Sequence, residues 1–161
     1  MRIRTGYSFK KAIGGLDDVF ERLDKCDYPV FPISDYNSVF GFNRWQKKCK
    51  EFGKKPAFGI EINVCETLGQ DKPVYSQWTF FAIRDISAIN NLFSLASSNP
   101  DKSPSLTYDQ AIKTKGVIKI AGSLTPEYII EKYASKKDFF VGLSPSTPFA
   151  VAKMWSKYPV P

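Results

Sequence analysis

Apolar positions along the chain switch repeatedly between helical spacing and short continuous runs, and this predicts a succession of helices and strands. Leu16, Val19, Phe20 and Leu23 recur at helical intervals, with Asp17 and Asp18 in the first turn and Lys25 near the end, where each charge opposes the helix dipole. Phe42, Trp45, Cys49 and Phe52 mark a second helix, closed by Gly53 just past its C-terminus. Ile86, Ile89, Phe93 and Ala96 mark a third. Between the helices, Tyr28 to Ile33, Ala57 to Val64, Trp78 to Ile83, Gly116 to Ala121 and Asp138 to Leu143 read as strands, with Ile3 to Tyr7 as a first short one.

The connections carry their own signals. TLGQDKPVYS is a turn-rich loop or hairpin connection, and SSNPDKSPS is an irregular Ser/Pro-rich loop. A short helix is expected near Tyr108 to Lys113. Thr125, Pro126 and Glu127 read as N-cap, first helical proline and acidic first turn, and Thr147-Pro148 opens a last helix reaching about Lys157. Alternating βα units predict an α/β fold with a mostly parallel sheet and helices outside, open or closed into a barrel. In such folds the ligand site lies at the C-terminal ends of the strands. Those ends carry Arg4 to Ser8, Ser34, Asp35 and Tyr36, Glu61, Gly122 and Ser123, and Ser144.

With 161 residues, 43% of them hydrophobic and 15% aromatic, the chain can bury one sizeable core, so a single domain over 1–161 is expected. The formal charge of +7 fits contact with a polyanion, yet Lys47, Lys48, Lys50, Lys54 and Lys55 also suit a solvated helix face. Cys26, Cys49 and Cys65 are odd in number and contain no C-x-x-C, which argues against a disulfide framework or a zinc ribbon. No apolar run approaches the ~18 residues of a membrane span, and no signal-peptide pattern opens the chain, so a cytoplasmic location is expected. Histidine is absent, which removes the commonest general base and the commonest transition-metal ligand together.

Several motifs resemble one family in order along most of the chain. R-I-R-T-G-Y-S is similar to an H-x-H-T/S-x-Y-S motif, with Arg2 and Arg4 at the histidine positions. YPVFPISDYNSVFG resembles P-A-(apolar)-(apolar)-T-D-H-G-N-(apolar)-x-G, with Asp35 kept and Tyr36 in place of histidine; a helix and an I-x-G-x-E strand follow, keeping Glu61. WTFFAIRDISAINNLFSLAS puts Trp78 at another histidine position, and GVIKIAGSL puts Ser123 where the motif has cysteine. These are the motifs of the PHP (polymerase and histidinol phosphatase) domain found at the N-terminus of the α subunit of bacterial DNA polymerase III, a C-family polymerase. The resemblance implies a distorted (β/α)7 barrel, here incomplete toward its C-terminal end, since KYPVP matches only the start of the next family strand.

The chemistry implied by that family uses His, Asp, Glu and Cys ligands around divalent ions that activate water against a phosphoester. Arginine donates only and cannot ligate a cation, so Arg2 and Arg4 would repel one. The expectation is therefore a degenerate site at Arg2, Arg4, Asp35, Tyr36, Glu61, Trp78 and Ser123, with no catalytic residue and no cofactor, unless Mn or Zn binds an unexpectedly active site. Arg4–Asp35 or Arg2–Glu61 ion pairs would take the place of metals. Plainer readings stay open: solvated terminal arginines, a phosphate-binding pocket, Asp35 as a turn residue or helix cap, and Trp78 with Phe80 and Phe81 as core. A nucleophilic Ser8 or Ser123 lacks a histidine or a G-x-S-x-G context.

The resemblance implies the N-terminal piece of a divergent replicative DNA polymerase, phage-encoded by expectation. The domain would be inactive as a phosphoesterase and would serve structure and docking, with the remaining polymerase domains, a proofreading exonuclease or another replisome protein as partners, and DNA reached through the parent polymerase. The competing readings are a standalone metal-dependent phosphoesterase or exonuclease using Asp35 and Glu61, and a small phage protein that binds host replication machinery.

Overall fold

The computed structural model describes residues 3–8, 12, 14–143, 147, 151–153 and 156–158. Through residue 143 the elements follow in order: α1 Leu16–Asp24, β1 Val30–Tyr36, α2 Phe42–Glu51, β2 Lys55–Cys65, β3 Ser76–Ala82, α3 Ser87–Ser97, β4 Ser105–Thr107, α4 Tyr108–Lys113, β5 Val117–Ala121, α5 Glu127–Tyr133 and β6 Phe139–Val141. The sheet runs β1-β2-β3-β5-β6, and β4 pairs with the end of β2. β1/β2, β2/β4 and β5/β6 are parallel, whereas β3 runs antiparallel to both β2 and β5. One reversed strand thus interrupts a sheet otherwise of one direction. It follows from the short 66–75 connection, which suffices for a hairpin but not for the crossover that a parallel neighbour needs. Among the described residues β6 does not pair with β1, so the sheet is open.

Register assigns every strand residue to a face. Phe31, Ile33 and Asp35 of β1 share one face with Ile60, Ile62 and Val64 of β2, Trp78 and Phe80 of β3, Val117, Lys119 and Ala121 of β5, and Phe139 and Val141 of β6. All of these are buried, and the apolar ones form a single cluster with Phe20, Trp45, Cys49, Ile89, Leu92 and Ile130 from the helices. Burying each large apolar side chain contributes about 1.5–3 kcal/mol, so this helix-covered face is where stability resides. The second face carries Ser34, Tyr36, Glu61, Gln77, Thr79, Phe81, Ile118, Ile120 and Phe140. There Phe81, Ile118, Ile120 and Phe140 are only half-buried and lie outside the core cluster.

Three sequence expectations need correction. Residues 3–8 do not form a strand: Ile3 O accepts from Ser34 N at 2.8 Å, but Thr5 N donates to the Asp35 side chain, and Ser8 N closes a turn onto Thr5 O at 2.9 Å. A side-chain acceptor has captured the ladder's donor. The three-residue β4 shows no alternation long enough to read in advance. Pro126, rather than Thr125, is the N-cap of α5, because the Thr125 hydroxyl is engaged elsewhere. It donates to Gly122 O at 2.7 Å, so its lone pairs accept from Trp78 Nε1 at 2.9 Å and from Ser76 Oγ at 2.6 Å. The final helix predicted from Thr147 lies largely outside the described residues, although 151–153 are helical.

Candidate functional site

Asp35, one residue before the end of β1, and Glu61, within β2 and in register with Tyr36, stand one register step apart on opposite faces. Asp35, fully buried, faces the core side and accepts three hydrogen bonds: Thr5 N at 2.6 Å and Ser8 Oγ at 2.6 Å on Oδ1, and Thr5 Oγ1 at 2.8 Å on Oδ2. Ser8 Oγ also accepts from Tyr36 N at 3.0 Å, so the Thr-Gly-Tyr-Ser turn is tied to β1 by one carboxylate. Gly41 packs against this carboxylate, where an added Cβ would stand 3.0 Å from Asp35 Oδ2. The site of Asp35 is therefore closed by neutral donors and by backbone.

Glu61, also fully buried, faces the second side and is held by a guanidinium. Arg4 Nε reaches Oε2 at 2.7 Å and Arg4 Nη2 reaches Oε1 at 2.6 Å, the bidentate fork in which an arginine pairs best. The hydrogen bond that Arg4 donates to Glu61 holds the Arg4 proton more firmly than in water; burial opposes this, and the charge of Glu61 with the electrostatics of Tyr36 and Asp35 adds to it. The pairing thus differs from the expected Arg4–Asp35 contact: Arg4 extends past β1 to the face on which Glu61 stands. Arg2 and Ser144 lie outside the described residues. Tyr36 shares the Glu61 face, half-buried, at the end of β1.

The remaining positions are not gathered here. Trp78 stands on the core face, fully buried against Phe80, Tyr108 and Phe139, with ring centroids 6.2, 5.7 and 5.4 Å away. Ser123 is half-buried in the turn after β5. That turn is fixed by Gly122, where a Cβ would meet Gln77 O at 2.0 Å, so only glycine fits against β3. Burial pushes the Cys49 and Cys65 thiols up to about 11, which keeps them protonated and inert as nucleophiles at neutral pH. Thr5 and Ser8 fall within the expected Arg4 to Ser8 strand end, but their hydrogen bonds to Asp35 are not among the expectations; the signal is the pair of hydroxyls in the turn, each short enough to reach a neighbouring carboxylate.

A divalent metal cluster does not fit these residues. Asp35 spends its oxygens on three donors, and Glu61 faces a fixed cation that would repel a second. Ser34 Oγ and Asn37 Oδ1 are buried without a hydrogen-bond partner near the Glu61 strand, but a neutral hydroxyl and an amide oxygen do not make a divalent site by themselves. Among the described residues no group of three or more His, Cys, Asp or Glu side chains is placed to hold a metal ion. Among them, too, no helix is long and apolar enough to cross a membrane.

Comparison with known proteins gives this geometry a lineage. Over 61 residues, 38% of this chain, the sequence is 31% identical to DNA polymerase III subunit alpha of Streptococcus pyogenes and of its serotype M1, and 30% identical to that of a serotype M18 strain. The matched part is 6% of the length of those relatives. A solved structure of a candidate metal-dependent phosphoesterase from Bifidobacterium adolescentis superposes with a TM-score of 0.59 at 12% identity, covering 89% of this chain and 78% of that one. At that identity the likeness concerns the fold alone. The model of the PHP domain matches residues 1–144, and the chain belongs to the PHP domain family.

Proposed function

We propose that this chain is a PHP domain in which an internal ion pair has replaced the family's metal centre, and that it works as a structural and docking module of a DNA-replication protein resembling the polymerase III α subunit. The observation that carries this reading is the Arg4–Glu61 fork, at 2.6 and 2.7 Å, beside an Asp35 whose oxygens are all engaged by Thr5 and Ser8. A fixed guanidinium supplies the positive charge that a buried carboxylate requires, without the exchangeable water that a catalytic metal activates. What remains is a rigid α/β body. Its half-covered second face, with Phe81, Ile118, Ile120 and Phe140, supports a role in contact with neighbouring polymerase domains, and a proofreading exonuclease is the further partner that the family suggests.

The test is metal dependence. Melting temperature is measured with Mn²⁺, with Zn²⁺ and with chelator, together with hydrolysis of a phosphomonoester and of a phosphodiester. The reading predicts an unchanged melting temperature and no hydrolysis above background. A rise in melting temperature with Mn²⁺, accompanied by hydrolysis that Asp35→Ala abolishes, would establish a metal-dependent phosphoesterase instead.

A further inference from the structure

A cleft of about 530 Å³ opens between the Thr5–Tyr7 turn, the glycine entry to α1 and the outer side of α2. Its volume is that of a small-ligand site. Asp17, Arg44, Lys47, Lys48 and Glu51 provide its charged lining, and Tyr7 provides its aromatic one. Lys48 Nζ bridges the two acids, 2.8 Å from Asp17 and 3.1 Å from Glu51, and so offsets half of their negative charge, leaving the cleft net positive once Arg44 and Lys47 are counted. Arg44 and Lys47, both exposed, have no ion-pair partner among the described residues. The Arg44 guanidinium carbon lies 6.0 Å from the Tyr7 ring centroid, so a fork donor and an aromatic face border one space. Gly6, Gly14 and Gly15 also line the cleft, without side chains to keep a ligand from the backbone.

From these features we infer that the cleft binds a nucleotide unit, with the phosphate held by Arg44 and Lys47 and the base lying against Tyr7. Guanidinium pairs with phosphate oxygens in bidentate fashion, and any base presents a flat face to an aromatic ring. A carboxylate ligand would use the cations but leave the ring without a role. The site is separate from the Glu61 pair and does not depend on the absence of metal chemistry there.

The experiment is an NMR titration of ¹⁵N-labelled chain at low salt with dAMP, with inorganic phosphate and deoxyadenosine as separate arms. Saturable shifts are expected at residues 6–7, 14–17 and 44–48, tighter for dAMP than for either part. The Arg44→Ala/Lys47→Ala variant should lose about 10-fold or more in affinity, since a hydrogen bond to a charged group alone accounts for that much. Tyr7→Ser should weaken dAMP but not phosphate. Lys136→Ala/Lys137→Ala removes the same net charge on a remote exposed loop and should leave affinity unchanged. Equal weakening in that control, shifts confined elsewhere, or phosphate binding as tightly as dAMP would overturn the assignment.

Discussion

The two faces of the sheet each bury one carboxylate, and they treat it differently. On the helix-covered face Asp35 is surrounded by neutral donors from a neighbouring turn, with Ile33 and Ile60 beside it in the core. On the half-covered face Glu61 is held by the Arg4 guanidinium, whose side chain remains 23% exposed. The difference follows from the room available. Around Asp35 the packed core leaves room for two small hydroxyls and a backbone amide, whereas the more open face admits a long arginine side chain beside Glu61. The lesson is that one buried acid has become a fastener for the backbone, and the other an ion pair at a surface with space around it.

The widest separation between the faces should appear in apolar truncations. Phe80→Ala, on the core face, should cost about 3–5 kcal/mol in urea unfolding. Phe140→Ala, on the other face, should cost only about 1 kcal/mol, because a half-buried ring loses less on truncation. Comparable losses would mean that the second face is as tightly packed as the first. Next in size, Asp35→Ala should cost about 2–4 kcal/mol, because three donors lose their acceptor at once. Amide exchange at Thr5 to Ser8 should accelerate in that variant, and retention of wild-type protection there would show that the turn holds without Asp35.

The smallest effect is acid sensitivity at a site on neither face. Asp101 joins the 66–75 connection to β4: burial pushes its carboxyl up, but hydrogen bonds from Ser105, Gly69 and Tyr75 together bring it below its ordinary value. A folded value below the unfolded one stabilises above the ordinary carboxylate pKa of about 3.9, and this contribution disappears as pH falls through the folded value. Asp101→Asn should therefore flatten the acid limb of a stability–pH curve below about pH 4 while leaving the neutral region lower but parallel. An unchanged acid limb would remove Asp101 from the account.

Much of this architecture was legible in the chain itself. Helical spacing located α1, α2 and α3, and apolar runs located the five longer or well-flanked strands, because both faces of an α/β layer impose strong periodic burial. The reversed β3 and the short β4 were not legible, since direction depends on connection length and β4 draws its pairing from β2 rather than from its own residues. At the site, the loss of histidine and the arrival of Arg4 near surviving acids could be read directly. The choice of Glu61 over Asp35 could not, because it turns on which sheet face each acid points to, and a one-residue shift in register reverses that. Buried Lys119, paired with Asp138 at 2.5 Å on the core face, escaped notice for the same reason. Its strand gave no sign of which side the lysine would take.

The account's central claim is that the Arg4 guanidinium is the counter-charge of Glu61, and a double-mutant cycle tests it most directly. Unfolding free energies of the wild type, Arg4→Met, Glu61→Leu and the double variant would be measured in urea at neutral pH. The expected pattern is a loss of about 3 kcal/mol or more for Arg4→Met, which removes the bidentate fork from a buried acid, and recovery of a large share of that loss in the double variant. A cycle in which the two losses simply add, within about 0.5 kcal/mol, would contradict the claim and leave the fork a contact without energetic consequence.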